Sequence, residues 1–338
     1  MALTGGTTTI KEYGSFLELD LKKGPEYYDG VGVKRLNTAR CGIGYVLRLL
    51  GLKKLLLPTY LCPKVREYLI AQSIELVNCA LGDDLLPILP EKISGDTAVL
   101  IVNYFGLLPR EKIETITSRF QNVIVDNAQA FYKKPAENAY SVYSPRKFFG
   151  VPDGCYVVGE KAGQEDFFIP CGFSADTSLF LLKRIERGCQ GSYSDRMMNE
   201  TRLDGSGLSL MSRLTRALLQ NVDYITIKDR RVQNFRYAQS LFSQMNLFDL
   251  SRFPLDEDTV PMVYPLVLAD DEILPHLLKS SVYLGRWWAA LTSLVPENSL
   301  EMMLSRHLLP LPIDQRMTPE DLDCIYRLIV KRPVTPLI

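Results

Sequence analysis

Val123-Ile124-Val125-Asp126-Asn127-Ala128-Gln129-Ala130 and, a little further on, Tyr140-Ser141-Val142-Tyr143-Ser144-Pro145-Arg146-Lys147-Phe148-Phe149-Gly150 are the two stretches on which the reading of this chain turns. Three β-branched residues in a row predict a short strand buried on both faces, with Asp126 directly after it at the carboxyl edge of a sheet. Open α/β sheets bind their ligands outside that edge. Residues 140–143 predict a second strand, and Lys147 follows it between serine hydroxyls and an aromatic-Gly turn. A lysine held in an apolar, partly desolvated place has a lowered pKa and becomes a competent amine nucleophile. Taken singly, neither residue decides anything. Strand-end acids often cap turns, and most lysines are solvated surface charges.

On either side of these stretches the pattern alternates. Residues 40–50 have helical spacing, 54–57 form an apolar run, and 63–73 read as a helix with Pro63 in its first turn. Residues 74–77 and 98–102 predict strands, and 109–120 an amphipathic helix. Short β-runs separated by helices of about ten residues predict an α/β fold, a mostly parallel mixed sheet sandwiched by helices. Downstream, 155–158 read as a strand, 208–244 as a long helical region, 262–268 as a strand and 272–279 as a helix. Residues 319–330 close the pattern as a helix with Thr318 as N-cap and Asp321 as a capping-box acid. The expected division is an N-terminal arm (1–36), a large domain (37–245) and a smaller α+β C-terminal domain (246–338).

Composition narrows the function. The 338 residues carry 39 Lys+Arg against 39 Asp+Glu, and 46% are hydrophobic. That balance excludes a disordered chain and offers no basic face for nucleic acid. The first nine residues have neither the basic nor the apolar region of a signal peptide. No apolar stretch nears the ~20 residues of a membrane-spanning helix. Seven cysteines without a CxxC pair and two histidines suggest no disulfide framework and no metal site. The expectation is a soluble cytoplasmic protein with neither a nucleic-acid nor a membrane partner.

Two further stretches complete the candidate site. Asn37-Thr38-Ala39-Arg40-Cys41-Gly42-Ile43-Gly44 opens a helix whose small residues allow backbone N–H groups to approach a phosphate. The plainer reading makes Thr38 an ordinary cap. In Leu57-Pro58-Thr59-Tyr60-Leu61-Cys62-Pro63, Tyr60 is placed either to stack on a flat ligand or simply to pack.

The order of the four stretches resembles the pyridoxal-phosphate sugar aminotransferases of the DegT-like family, with fold type I, the aspartate-aminotransferase type. The family's Asp-Ala-Ala-Gln-Ala corresponds to Asp126 through Ala130, and its Ser…Lys-Phe-Phe-Gly variant to Ser144 through Gly150. Softer matches, Tyr264-Pro265-Leu266 and Leu308-Leu309-Pro310-Leu311-Pro312, extend the resemblance over residues 36–332. It implies pyridoxal 5'-phosphate as cofactor, joined to Lys147 as a Schiff base. Asp126 would hold the ring nitrogen protonated and Gln129 would lie near the ring hydroxyl or Lys147. Tyr60 would stack on the ring. The phosphate would sit on the Ala39, Arg40 and Cys41 amides, with Ser144 or Ser141. It further implies a homodimer that moves an amino group from a donor such as glutamate to a keto-sugar, nucleotide-linked, for surface-glycan or polysaccharide synthesis. The alternatives are a degenerate cofactor-binding or assembly protein, or another reaction on a sugar such as dehydration. The family's Gly-Phe-Asn-x-Arg stretch, which reaches into the partner subunit, has no counterpart here, and Arg213 and Arg216 are candidates to replace it. The apolar arm residues Tyr13, Phe16, Leu17, Leu19, Tyr27 and Tyr28 are expected to pack on the body or on a neighbour.

Overall fold

Uninterrupted apolar runs are stable only where both faces of a strand are covered, and the centre of the molecule is built from such runs. The computed structural model describes residues 13–331. In chain order its first unit contains β1 (Val33–Leu36), α1 (Ala39–Leu50), β2 (Lys54–Pro58), α2 (Pro63–Ala71), β3 (Glu75–Cys79), β4 (Thr97–Val102), α3 (Arg110–Arg119), β5 (Val123–Asn127), β6 (Ala139–Tyr143) and β7 (Cys155–Val158). The seven strands form one sheet in the order β1-β7-β6-β5-β4-β2-β3. Every residue of β4 and β5 is buried.

From β3 through β2, β4 and β5 to β6 all pairings are parallel, whereas β7 is antiparallel to both β6 and β1. Two reversals make β1 run with β6. The carboxyl ends of β1, β2, β4, β5 and β6 therefore lie along one edge, the edge where such sheets place their ligands. Helix α1 starts just beyond that edge and packs closely on the sheet. A Cβ on Gly42 would come within 2.7 Å of the Cys155 sulfur and 3.0 Å of Val142, so only hydrogen fits there.

The chain continues through α4 (Leu179–Gly205), α5 (Arg213–Leu219), α6 (Tyr224–Phe242), β8 (Val263–Val267), α7 (Ile273–Lys279), α8 (Leu300–His307), β9 (Leu308–Pro312) and α9 (Pro319–Val330). Strands β8 and β9 form a separate antiparallel pair. Helix α6 packs on that pair and on α9. Phe242 lies 5.8 Å from Tyr264 and 5.6 Å from Tyr326, ring centre to ring centre. The start of α6 also reaches the first unit, with Tyr224 stacked on Phe131 at 6.1 Å. Helix α9 has the anticipated capping box, with Thr318 and Asp321 bonded reciprocally.

The structure differs from the expectation in several places, and α8 had no counterpart in it. Strand β5 extends to Asn127, so Asp126 lies within the strand rather than after it. Residues 33–36, assigned to the arm, are the antiparallel edge strand. The expected 208–244 helical region is two helices, α5 and α6. Helix α4 was not anticipated at all: it buries only Ser192, Asn199 and Leu203 and breaks at Gly188, with φ of 69°, so it has no apolar period to read. In the arm, Tyr28 is buried, while Phe16, Leu17 and Leu19 are exposed. The start read for a signal peptide, the first part of the arm (residues 1–12) and residues 332–338 lie outside the described residues. Among the described residues, no helix is long and apolar enough to cross a membrane.

Candidate active site

Asp126 comes from the end of β5, and its neighbours hold it firmly. Its Oδ1 accepts the Ala128 N–H at 2.9 Å, and its backbone carbonyl accepts the Asn103 N–H at 3.0 Å. Its Oδ2 has no hydrogen-bond partner among the described residues. Burial pushes the carboxyl above its ordinary value, while Lys147 and the Ala128 N–H pull it back. Beside it, Asn103 donates to the Asn127 side chain at 3.0 Å and accepts from the Leu108 N–H, a buried amide pair that the sequence reading missed. The polar run Asp126-Asn127 was the available signal.

Lys147 stands one strand away, at the end of the single turn Pro145–Lys147 that follows β6. Two buried aromatics, Phe148 and Phe149, anchor this turn from its carboxyl side. Phe149 stands edge-on to Phe131 at 4.8 Å, and the Phe148 carbonyl accepts from Gln315 at 3.0 Å. Arg231 of α6 stacks over the Phe148 ring at 4.5 Å. Lys147 itself is exposed as a residue, opening on the sheet edge, while protein crowds its amine. That crowding pushes the amine below the ordinary lysine value; Asp126 and Cys62 pull it up, and Arg146 pushes it further down. Among the described residues, Lys147 has no direct ion-pair partner. Its neutral form is therefore more accessible than that of a surface lysine.

The two neighbouring lysines are committed elsewhere. Lys133 is buried and bonded to Asp256, Asp258 and Thr259, with N–O distances of 2.8–3.0 Å. Lys134 pairs with Glu257. Burial raises the Asp258 carboxyl, but bonds from Lys133 and Arg110 outweigh it and hold it well below the usual range.

At the start of α1, Thr38 caps the helix by accepting the Cys41 N–H. The Cys41 amide is thereby used, and its buried thiol is pushed up by desolvation. The Ala39 and Arg40 amides keep no acceptor among the described residues. Ser144 is buried at the same edge with its hydroxyl unpartnered among the described residues, whereas the Ser141 hydroxyl accepts the Ala136 N–H inside the sheet. Of the two serines, only Ser144 is available to a ligand.

Gln129 and Tyr60 lie further along the edge and are differently engaged. Gln129 Oε1 accepts the Phe105 N–H at 2.7 Å, bracing the Tyr104–Gly106 turn where Phe105 takes φ of 60°. A Cβ on Gly106 would meet the Gln129 carbonyl at 2.6 Å, which explains the glycine. Tyr60 is wholly buried. Trp288 lies edge-on to its ring at 4.6 Å, Tyr104 tilts against it at 5.6 Å, and its hydroxyl has no partner among the described residues. Trp288, which the sequence reading did not single out, takes φ of 53° there. Arg216 is bonded to Glu26 through Nε and Nη2 at 3.1 and 3.0 Å.

Two surface cavities, of about 370 and 360 Å³, lie against α6 and beside α3; neither contains Lys147 or Asp126, whose site is an open sheet edge.

No protein-family model and no curated protein matches the chain. Solved structures do. The sugar aminotransferase CalS13 from Micromonospora echinospora superposes with a TM-score of 0.59 at 16% identity, over 88% of this chain and 87% of that one. A DegT DnrJ EryC1 StrS aminotransferase from Brucella abortus gives 0.59 at 15% identity, over 88% and 84%. Spr1654 from Streptococcus pneumoniae, in a PLP form, gives 0.59 at 13% identity, over 88% and 86%. The chain has the fold of these aminotransferases. Within this fold, Asp126, Lys147, Ser144 and the start of α1 share the carboxyl edge of the sheet.

Proposed function

We propose that the chain is a pyridoxal-phosphate-dependent aminotransferase acting on a keto-sugar. The observation that carries the proposal is a crowded amine, Lys147, one strand from a buried carboxylate, Asp126, whose Oδ2 has no partner among the described residues. The residues fit the cofactor. Lys147 is an amine at this edge free of a carboxylate, unlike Lys133 and Lys134. Asp126 offers an acceptor for a protonated ring nitrogen, and Ser144 with the Ala39 and Arg40 amides offers donors for the phosphate.

Bound there, the cofactor supplies an electron sink for a carbanion at the donor's α-carbon. Everything else belongs to the chain. Asp126 would hold a proton on the ring nitrogen, accepting it at the Oδ2 that no described residue uses. Lys147 would accept the donor's α-proton at its neutral Nζ and deliver it within the site in the same half-reaction, and would run that transfer in the opposite sense in the second half-reaction.

Glutamate is the proposed donor, a nucleotide-linked keto-sugar the acceptor and surface-glycan or polysaccharide synthesis the setting; we further propose a homodimer in the cytoplasm. The family resemblance and the sugar aminotransferases among the similar structures support this reading. One observation favours a second reading, cofactor binding without turnover: the Tyr60 ring lies under Trp288 and Tyr104. The protein loaded with pyridoxal 5'-phosphate should convert amino donors in a half-reaction and then aminate nucleotide-linked keto-sugars, read by mass shift. Binding with no turnover across the donor panel would select the second reading.

A further inference from the structure

Away from the sheet edge, the cavity of about 370 Å³ against α6 has a chemistry of its own. Phe235 and Gln239, one turn apart on α6, line it together with Arg236. The opposite wall is the single turn Leu250–Arg252 and the chain after it, with Leu250, Phe253 and Leu255. Both walls are held from behind. Phe235 tilts against Tyr264 of β8 at 5.5 Å, Phe253 against Phe248 at 5.6 Å, and Asp249 caps the turn by accepting the Ser251 N–H at 3.0 Å. The cavity is therefore preformed, and its volume is that of a small-molecule site.

Two polar groups in this apolar surface have nothing to bond. Gln239 Oε1 is buried and has no hydrogen-bond partner among the described residues. An acceptor taken out of water without a donor is costly, and a ligand N–H would remove that cost. Arg236 is exposed at the rim and makes no ion pair or hydrogen bond among the described residues. The acids that flank the loop are already taken, Asp249 by Ser251 and Arg252, Asp256 by Lys133 and the Arg110 N–H. Ser251, the other polar side chain of the wall, spends its hydroxyl on Asp249 at 2.6 Å. One uncompensated guanidinium and one unmet acceptor thus stand over rings and aliphatic carbons. Such walls suit an apolar side chain rather than sugar hydroxyls.

We propose that this cavity binds an α-amino acid with a large apolar side chain. The carboxylate meets the Arg236 guanidinium, the ammonium donates to Gln239 Oε1, and the side chain lies between Phe235 and Phe253. Each unmet group of the wall then has its partner, and each end of the ligand has a wall group of matching chemistry. The site requires neither the cofactor nor Lys147, so it stands apart from the aminotransferase reading.

Calorimetric titration of the whole chain with phenylalanine tests this directly. Arg236→Gln and Gln239→Leu should each weaken phenylalanine by about tenfold or more. Serine, with the same head group and no apolar body, should bind at least about tenfold more weakly. So should 3-phenylpropionate, which keeps the ring and the carboxylate but has no N–H for Gln239. Arg236 is exposed, so its variant decides the matter even if Gln239→Leu fails to fold. No binding of phenylalanine up to about 10 mM, or an affinity that survives both substitutions, would overturn the proposal. Equal affinity for 3-phenylpropionate would also overturn it, because Gln239 would then select nothing. Phenylalanine binding that depends on Arg236, in a protein with no transamination, would instead defeat the aminotransferase reading and leave this site standing.

Discussion

The two ends of the candidate site were assembled in different ways. At one end, Asp126 and Lys147 hang directly from adjacent parallel strands, and they come together because β5 and β6 are paired in register, Asn127 opposite Tyr143. At the other end, Tyr60 and Gln129 depend on a turn, Tyr104–Gly106, and on Trp288, which is far away in the chain. The first end leaves its charged groups with unused bonding capacity. At the second, ring packs on ring and the Gln129 side-chain oxygen braces backbone, while the Tyr60 hydroxyl has no partner among the described residues. Bonding capacity left over is what a ligand can use; capacity consumed holds the fold.

The largest expected effect tests the first end. Lys147→Ala should abolish the visible cofactor band and lower transamination by at least about 10⁴-fold, the upper range for a positioned acid–base group, while circular dichroism stays unchanged. An intact band would move the chemistry away from this lysine.

Asp126→Asn keeps the shape and removes the charge. Loss of a comparable orienting carboxylate costs orders of magnitude, and a drop of at least about 100-fold in the donor half-reaction is expected here. The same variant shifts the pH profile. Asp126 pulls the Lys147 amine up, so its loss should move the amine's midpoint, already below the ordinary lysine value, further down. A shift upward would show that the two groups do not face each other. Stability carries a related signature. The folded chain binds the Lys147 proton less readily than the unfolded chain, so this residue makes stability rise with pH between the lowered pKa and the ordinary lysine value. Lys147→Ala should erase that slope in pH-dependent melting.

Lys133 provides the internal control. Unlike Lys147 it is buried as a whole residue, and it is spent on the carboxylates beside it. Lys133→Met removes the buried bonds to Asp256, Asp258 and Thr259 but leaves Asp258 with Arg110, and should cost about 1–3 kcal/mol in denaturant unfolding, with the cofactor band intact in whatever protein remains folded. A lost band in folded protein would reverse the assignment of the two lysines.

The smallest effect belongs to the second end. Tyr60→Phe removes a buried hydroxyl with no partner among the described residues, which should stabilise by about 1 kcal/mol and raise Tm by roughly 2–4 °C. If instead the variant melts lower or binds cofactor more weakly, the hydroxyl is used by the ligand and the contrast between the ends dissolves.

By itself, the sequence determined the layered α/β architecture, because buried strands and capped helices announce themselves locally. The apolar runs at β4 and β5 and the Thr318–Asp321 box of α9 were all legible. It also determined the candidate pair, since an acid at one strand end and a lysine after the next strand must share an edge once the strands are parallel. Tertiary structure alone decided the rest. Helix α4 has no apolar face, so no local signal marked it, and its carboxylates find Arg40 and Arg146 only in the folded chain. Ser141 and Ser144 looked equivalent until pleat and packing spent one hydroxyl on Ala136 and left the other free. The strand and serines before Lys147 set it apart in the sequence, but they do not say that Lys133 is spent. What separates them is that Asp256 and Asp258, brought from the far side of the chain, neutralise one, while the other is left crowded and uncompensated at the edge of the sheet.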